Sequence, residues 1–187
     1  MTHTNHTLGE LLAQTTVIPV MVVKDLDDAV PMAKDLVSKG FNTLEITLRT
    51  ECGILAIAEI AREMPEVIAG AGTVTNKCQY EAVVVAGAKF VVSPGHTDDL
   101  LDAADNSEVP FLPGVATPSE AMKLADRGYQ YFKLFPAEAV GGIPLLKSIM
   151  GPLPHLRFCP TGGINEKTSH DYLALSNVVC VGGSWMV

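Results

Sequence analysis

Short apolar runs alternate with longer amphipathic ones along nearly the whole chain, and few architectures accept that pattern. The strand candidates are 17–23, 43–48, 67–71, 90–93, 110–112, 131–135, 157–160 and 178–181. Helical periodicity fills residues 26–39, 52–63, 76–86, 98–105, 118–127, 143–149 and 166–173 between them. Strand and helix in strict alternation imply a parallel sheet with helical crossovers. Eight strands suit a closed barrel better than an open sheet, and no GxGxxG follows the first strand. The expected fold is therefore an α/β (β/α)8 TIM barrel, with residues 1–187 as one domain. A short helix at 8–14 would sit over the N-terminal mouth. The eighth strand runs into GGSWMV, so the barrel is expected to lack its last C-terminal helix. That predicts an uncovered apolar strip outside strands eight and one, ending at Trp185, Met186 and Val187.

Composition narrows the partners. The net charge of −8 disfavours nucleic acid and anionic membrane, which need a basic face. A small anionic substrate remains open to a locally positive pocket. Cys52, Cys78, Cys159 and Cys180 lie far apart, with no CxxC pair, and read as free thiols in a reducing compartment. The polar start MTHTNHTLGELLAQ lacks the apolar core of a signal peptide, and no apolar run has the length of a membrane span. The expectation is a cytoplasmic protein.

Two strands carry residues that do not belong in an apolar core. In the second, Thr43, Glu45, Thr47 and Arg49 alternate with Leu44, Ile46 and Leu48. Successive side chains on a strand face opposite ways, so the polar set should face inward and the apolar set the helices. A structural Glu–Arg pair would explain this as well as a functional one. Arg49, however, falls at the strand's C-terminal end, where barrel active sites lie. The sixth strand places Lys133 among Tyr131, Phe132, Leu134 and Phe135. Lysine is almost never fully buried without a reason, although its amine can snorkel to water. Only a neutral amine attacks a carbonyl, and apolar surroundings favour the neutral form. The imine that results is an electron sink suited to carbon–carbon cleavage. Such chemistry needs an acid/base group beside the lysine, and Glu45 is the candidate.

Glycines at strand ends suggest an anion site. Thr161-Gly162-Gly163 follows the seventh strand and Gly182-Gly183-Ser184 the eighth, the positions of the recurrent barrel phosphate site. Gly70-Ala71-Gly72-Thr73 follows the third strand and suits a pocket wall. His96, near the end of the fourth strand, reads as a loop residue. With no HxH, HExxH or clustered ligands, neither a metal nor another cofactor is expected.

Taken together, VIPVMVV, LEITLRTE, GAGTV, VVSPG, FKLFPAE, RFCPTGGI and VGGSW resemble the 2-keto-3-deoxy-6-phosphogluconate and 4-hydroxy-2-oxoglutarate aldolase family, in order and from about residue 15 onward. The resemblance implies a class I aldolase on a homotrimer of barrels. It would cleave the phosphorylated keto-deoxy acid to pyruvate and glyceraldehyde 3-phosphate, as in the Entner–Doudoroff pathway. Position by position, it implies Lys133 as the Schiff-base lysine and Glu45 as the general acid/base. Arg49 and Thr73 would bind the pyruvate-end carboxylate, and Pro94 and Phe135 would wall the pocket. Thr161, Gly162, Gly163, Gly183 and Ser184 would contact phosphate. Two rivals stand beside it: a lysine-imine aldolase for an unphosphorylated or epimeric keto-deoxy acid, and a phosphosugar isomerase barrel, which needs no imine.

Overall fold

The computed structural model describes residues 2–187. In chain order it runs α1 (Thr2–Ala13), β1 (Val17–Met21), α2 (Ala29–Ser38), β2 (Thr43–Thr47), α3 (Gly53–Glu63), β3 (Ile68–Gly72), α4 (Lys77–Val85), β4 (Val91–Val92) and α5 (Asp98–Asp105). It continues through β5 (Phe111–Leu112), β6 (Gly114–Val115), α6 (Pro118–Asp126), β7 (Tyr131–Leu134), α7 (Gly142–Met150), β8 (Arg157–Pro160), α8 (Glu166–Leu173) and β9 (Val181–Gly183). Short 3-10 turns at Leu26–Asp28 and Glu138–Val140 precede α2 and α7. This is an α/β fold with a curled, parallel sheet, and the helices fall where the sequence periodicity places them.

Six strands pair in the order β5-β4-β3-β2-β1-β9, and three in the order β6-β7-β8. The break between β5 and β6 lies at Pro113, just beyond the 110–112 run that the sequence marks as a strand. Proline has no N–H to give a ladder, but its carbonyl still accepts from Lys133 N–H at 2.9 Å. On the other side, single parallel bridges join Phe158 to Val178 and Thr161 to Gly182.

Two apolar layers follow from the strand alternation. Leu44, Ile46, Phe132, Leu134 and Phe158 face outward and pack with helix residues such as Ile57, Ile60, Leu124 and Leu146. Ile18, Val92, Leu112 and Cys159 come from both sheets and, with Cys180 just before β9, form one inner cluster with Leu8, Leu11 and Leu12 of α1. Those leucines recur at helical spacing and so share one face. The helix thus closes the N-terminal side of the interior as expected, although it begins at Thr2 rather than Leu8.

Two expectations need correction. The last strand is Val181–Gly183 rather than 178–181. It pairs with β1 through Val17–Val181, Ile18–Gly182 and Pro19–Gly183. Propensity favours the valines, but a side chain at Gly182 would meet Thr161 Oγ1, so the close approach selects glycine within the strand. Nor is there a bare strip outside β1 and β9. Met21 and Val181 are fully buried. Residues 184–187 turn back, laying the Trp185 ring over Gly183, and Lys39 Nζ donates to Met186 O at 3.2 Å. Val187 stays out, at 48% exposed.

The inner cluster gives a direct test. Leu12 is 0% exposed within it. Leu12→Ala should destabilise the protein by about 2–5 kcal/mol, the usual range for a buried leucine truncation. Urea unfolding would measure this. A loss below about 0.5 kcal/mol, typical of surface sites, would mean that α1 does not seal the interior.

Candidate active site

β2 and β7 are distant in sequence and bring Glu45 and Lys133 together on the concave face. Lys133 Nζ donates to Glu45 Oε1 at 3.1 Å. The two side chains are 4% and 3% exposed. Inward parity on each strand places them there, as the alternation of residues 43–49 predicts. Room for the carboxylate comes from one small neighbour, Gly72 on β3. Lys133 lies opposite Gly114 on β6 and Cys159 on β8. Glu45 lies opposite Gly70 on β3, and a Cβ at Gly72 would meet its carboxylate.

Directly beyond β2, Arg49 Nε donates to Thr73 Oγ1 at 3.2 Å. Thr73 has φ 59°, a left-handed backbone that a β-branched residue rarely adopts and that costs roughly 1–2 kcal/mol. Its neighbours hold it there: Leu48 N–H donates to Gly72 O at 2.8 Å, and Val74 N–H to Val92 O at 3.2 Å. Strain held this firmly beside a charged side chain marks a position where geometry is under functional constraint.

Above this level a 270 Å³ cavity opens. Thr161, Gly162 and Gly163 line it from the loop after β8, and Gly183 and Ser184 from the end of β9. Arg49 and Phe135 complete its polar and aromatic walls. Lys133 Nζ lies 5.5 Å from the centroid of the Phe135 ring. Pro94 is placed differently. It lines a neighbouring 180 Å³ cavity with Val74, Thr75 and His96. His96 Nδ1 is 3.1 Å from Gly114 O, in keeping with a loop-bracing role. Among the described residues, no group of three or more His, Cys, Asp or Glu side chains is placed to hold a metal ion.

Below the ion pair the interior is filled by the inner apolar cluster, which includes Cys159 and Cys180. A hydrogen bond with Cys159, followed by burial, pushes the Cys180 thiol well up, and the Glu45 carboxylate adds to the effect. Four of the helix starts around the C-terminal mouth are fixed by side-chain caps. Asn76, Thr97, Thr117 and Asn165 each accept a backbone N–H with a side-chain oxygen. Of these, Thr117 and Asn165 belong to full capping boxes.

Three wall residues lie within the quoted motifs but are given no role there: Val20, Val22 and Ile164. Val20 and Val22 share the inward parity of Ile18, so strand period would have found them. The role of Gly72 has no local signal, because the space it leaves belongs to a residue on another strand.

What the arrangement offers is an amine beside a carboxylate, below a cavity with a guanidinium on one wall and glycine loops on another. That set suits carbonyl attack followed by proton transfer. Gly72→Ala should leave the protein folded, by circular dichroism, yet lower aldol cleavage about 100-fold, the loss expected when a reacting group is displaced by about 1 Å. Unimpaired turnover would show that the carboxylate position is not critical.

Comparison with known proteins agrees with this geometry. The sequence model of the family described as Aldolase: KDPG and KHG aldolase matches residues 8–187. The 2-dehydro-3-deoxy-phosphogluconate aldolase of Dickeya dadantii (strain 3937) is 53% identical over 178 residues, covering 95% of this chain and 84% of that protein. The KHG/KDPG aldolase of Escherichia coli (strain K12) is 54% identical over 177 residues, covering 95% of this chain and 83% of that protein. A crystal structure of KDPG aldolase from Legionella pneumophila, with pyruvate captured at low pH as a covalent carbinolamine intermediate, superposes with a TM-score of 0.94. It is 51% identical and covers 96% of this chain and 87% of that one. A buried lysine–carboxylate pair at the mouth of a curled parallel sheet, and a match running from residue 8 to residue 187, lead to one assignment: the chain belongs to the KDPG and KHG aldolase family.

Proposed function

We propose that this chain is a class I aldolase that cleaves 2-keto-3-deoxy-6-phosphogluconate to pyruvate and D-glyceraldehyde 3-phosphate. On the same site it cleaves 4-hydroxy-2-oxoglutarate to pyruvate and glyoxylate. The observation that carries this reading is the 3.1 Å contact between Lys133 Nζ and Glu45 Oε1 in a buried setting. The Legionella relative, in which pyruvate is held as a carbinolamine, supports the same chemistry.

In this mechanism a proton leaves Lys133 by way of Glu45, and the free amine adds to the C2 carbonyl of the keto acid. The carbinolamine loses water to give an iminium ion. Glu45 then takes the proton of the C4 hydroxyl. The C3–C4 bond breaks, its electron pair moves toward the iminium nitrogen, and the aldehyde leaves. The resulting enamine is protonated at C3, and water hydrolyses the pyruvate iminium to restore Lys133. Arg49, held by Thr73, binds the C1 carboxylate, and Phe135 packs beside the imine. The 161–163 and 183–184 loops take the phosphate, with backbone N–H groups and the Ser184 hydroxyl as donors. Pro94, outside the 270 Å³ cavity, bounds the site from the β4 side through its backbone contact with Gly114, the β6 neighbour of Lys133.

The scaffold is read as one domain, residues 1–187, with its two sheets forming a single closed (β/α)8 barrel. The shared inner cluster and the bridges from β8 to Val178 and Gly182 support that closure. Residues 184–187 form a turn after β9. Assembly as a homotrimer comes with the family resemblance, and a cytoplasmic location is in keeping with the four scattered free cysteines. No helix among the described residues is long and apolar enough to cross a membrane.

Borohydride trapping with pyruvate should attach one three-carbon unit to the peptide bearing Lys133. Lys133→Ala should abolish both trapping and cleavage. Glu45→Gln should slow cleavage by about 100- to 10,000-fold, the range for loss of general acid–base catalysis, while trapping remains detectable. Normal turnover by Lys133→Ala would remove the lysine from the reaction. A bulkier residue at Gly163, whose φ is +82° and whose Cβ would strike Glu138, should raise KM for the phosphorylated substrate more than for 4-hydroxy-2-oxoglutarate. Equal rises would argue against phosphate binding at that loop.

A further inference from the structure

The turn after β8 is held from behind. Ala137 N–H donates to Thr161 O at 2.8 Å, and Glu138 N–H donates to Gly162 O at 3.1 Å. A trans peptide points its C=O and its N–H in opposite directions. Drawing these two carbonyls toward residues 137 and 138 therefore turns the N–H groups of Gly162 and Gly163 the other way. Both glycines line the 270 Å³ cavity, and their φ angles are +103° and +82°. Successive N–H groups in such a turn form a concavity suited to an anion.

Glu138 is itself held in place. Its Cβ and Cγ lie against Gly163, close enough that a side chain on the glycine would meet them. Its Oε1 accepts a hydrogen bond from the Tyr172 hydroxyl on α8. Tyr172 is 0% exposed, and Asn165 caps the start of its helix. Burial first, and the Glu138 carboxylate second, raise the Tyr172 hydroxyl well above the ordinary tyrosine range, so it remains a donor. Glu138 and Tyr172 line a separate 390 Å³ cavity with Thr168 and Asp171. The contact thus acts on the turn through the backbone of residue 138, from the side facing away from the substrate.

We propose that Glu138 and Tyr172 are a positioning pair that aims the Gly162 and Gly163 N–H groups, and thereby sets the preference for phosphorylated over unphosphorylated substrate. This rests on the reading of the 161–163 turn as the phosphate end of the site.

The test compares KM for 2-keto-3-deoxy-6-phosphogluconate with KM for 4-hydroxy-2-oxoglutarate. Tyr172→Phe keeps the ring and removes one hydroxyl. It should raise the ratio of the two KM values about fivefold, the effect of one ordinary hydrogen bond, with the loss in KM rather than in kcat. Glu138→Ala, which loses both the acceptor and the contact with Gly163, should raise it further. Glu138→Gln keeps an oxygen acceptor and should restore most of the preference. Glycerol 3-phosphate serves as a competitive probe of the phosphate end. If it does not inhibit the unmodified protein, the phosphate reading fails, and the positioning pair with it. If it inhibits the unmodified protein and Tyr172→Phe equally, with the KM ratio unchanged, the positioning pair alone is overturned. Equal rises in both KM values would also overturn it, by showing a general structural role.

Discussion

A lysine and a glutamate taken out of water together are the constraint around which the rest of this molecule is organised. Desolvating such ions is expensive, and their attraction offsets the penalty only when the geometry is close and the surroundings hold no competitor. The contact between Lys133 and Glu45, at 3.1 Å, meets the first condition. The inner cluster capped by α1 supports the second, because Leu8, Leu11 and Leu12 occupy the interior below the pair. Gly72 meets a third need, which is space for the carboxylate. A larger neighbour there would push the charged groups apart or off the strand ends.

The groups around that pair lie on loops, but the loops have little freedom. Strand ladders fix one side of the loops after β3 and β8, and the capped helix starts at Asn76 and Asn165 fix the other. Thr73 is a sharp instance, since its left-handed backbone persists against a steric penalty while its hydroxyl accepts from Arg49. The turn at residues 161–163 is another, pinned by the amides of Ala137 and Glu138. In both places a backbone that would otherwise sample several conformations is set by hydrogen bonds from a neighbouring loop. Preorganisation of this kind lets substrate bind without first ordering the protein.

Much of this was legible in the residue pattern. Strand period alone puts Glu45 inside and Leu44 and Ile46 outside, because a pleated strand has no third option. The same period explains why an aromatic and aliphatic strand containing Lys133 is informative: the lysine must face either helices or interior, and both are apolar. Helix starts were readable from Asn76, Thr97, Thr117 and Asn165, whose side chains satisfy local N–H groups. The strand break at Pro113 also has a local cause, although its consequence for the two-sheet pairing does not. The end of the chain follows packing rather than apolarity. Apolarity points to residues 178–181 as the last strand, whereas register with β1 and the Thr161 contact select Val181–Gly183. Trp185 folds over Gly183 and does not flank a bare strip.

What the sequence by itself determined was therefore what each residue does relative to its near neighbours: which face of a strand it takes, where a helix can begin, and which side chains do not suit an apolar core. Those are short-range consequences of covalent geometry and hydrogen bonding. The tertiary structure alone decided which distant residues share space. It set Glu45 against Lys133 at hydrogen-bond distance, cleared the carboxylate with a glycine from β3, and placed Glu138 and Tyr172 behind the turn after β8. Such meetings depend on strand order, register and the curl of the sheet. These are set by packing summed over the whole chain rather than by any local run of residues.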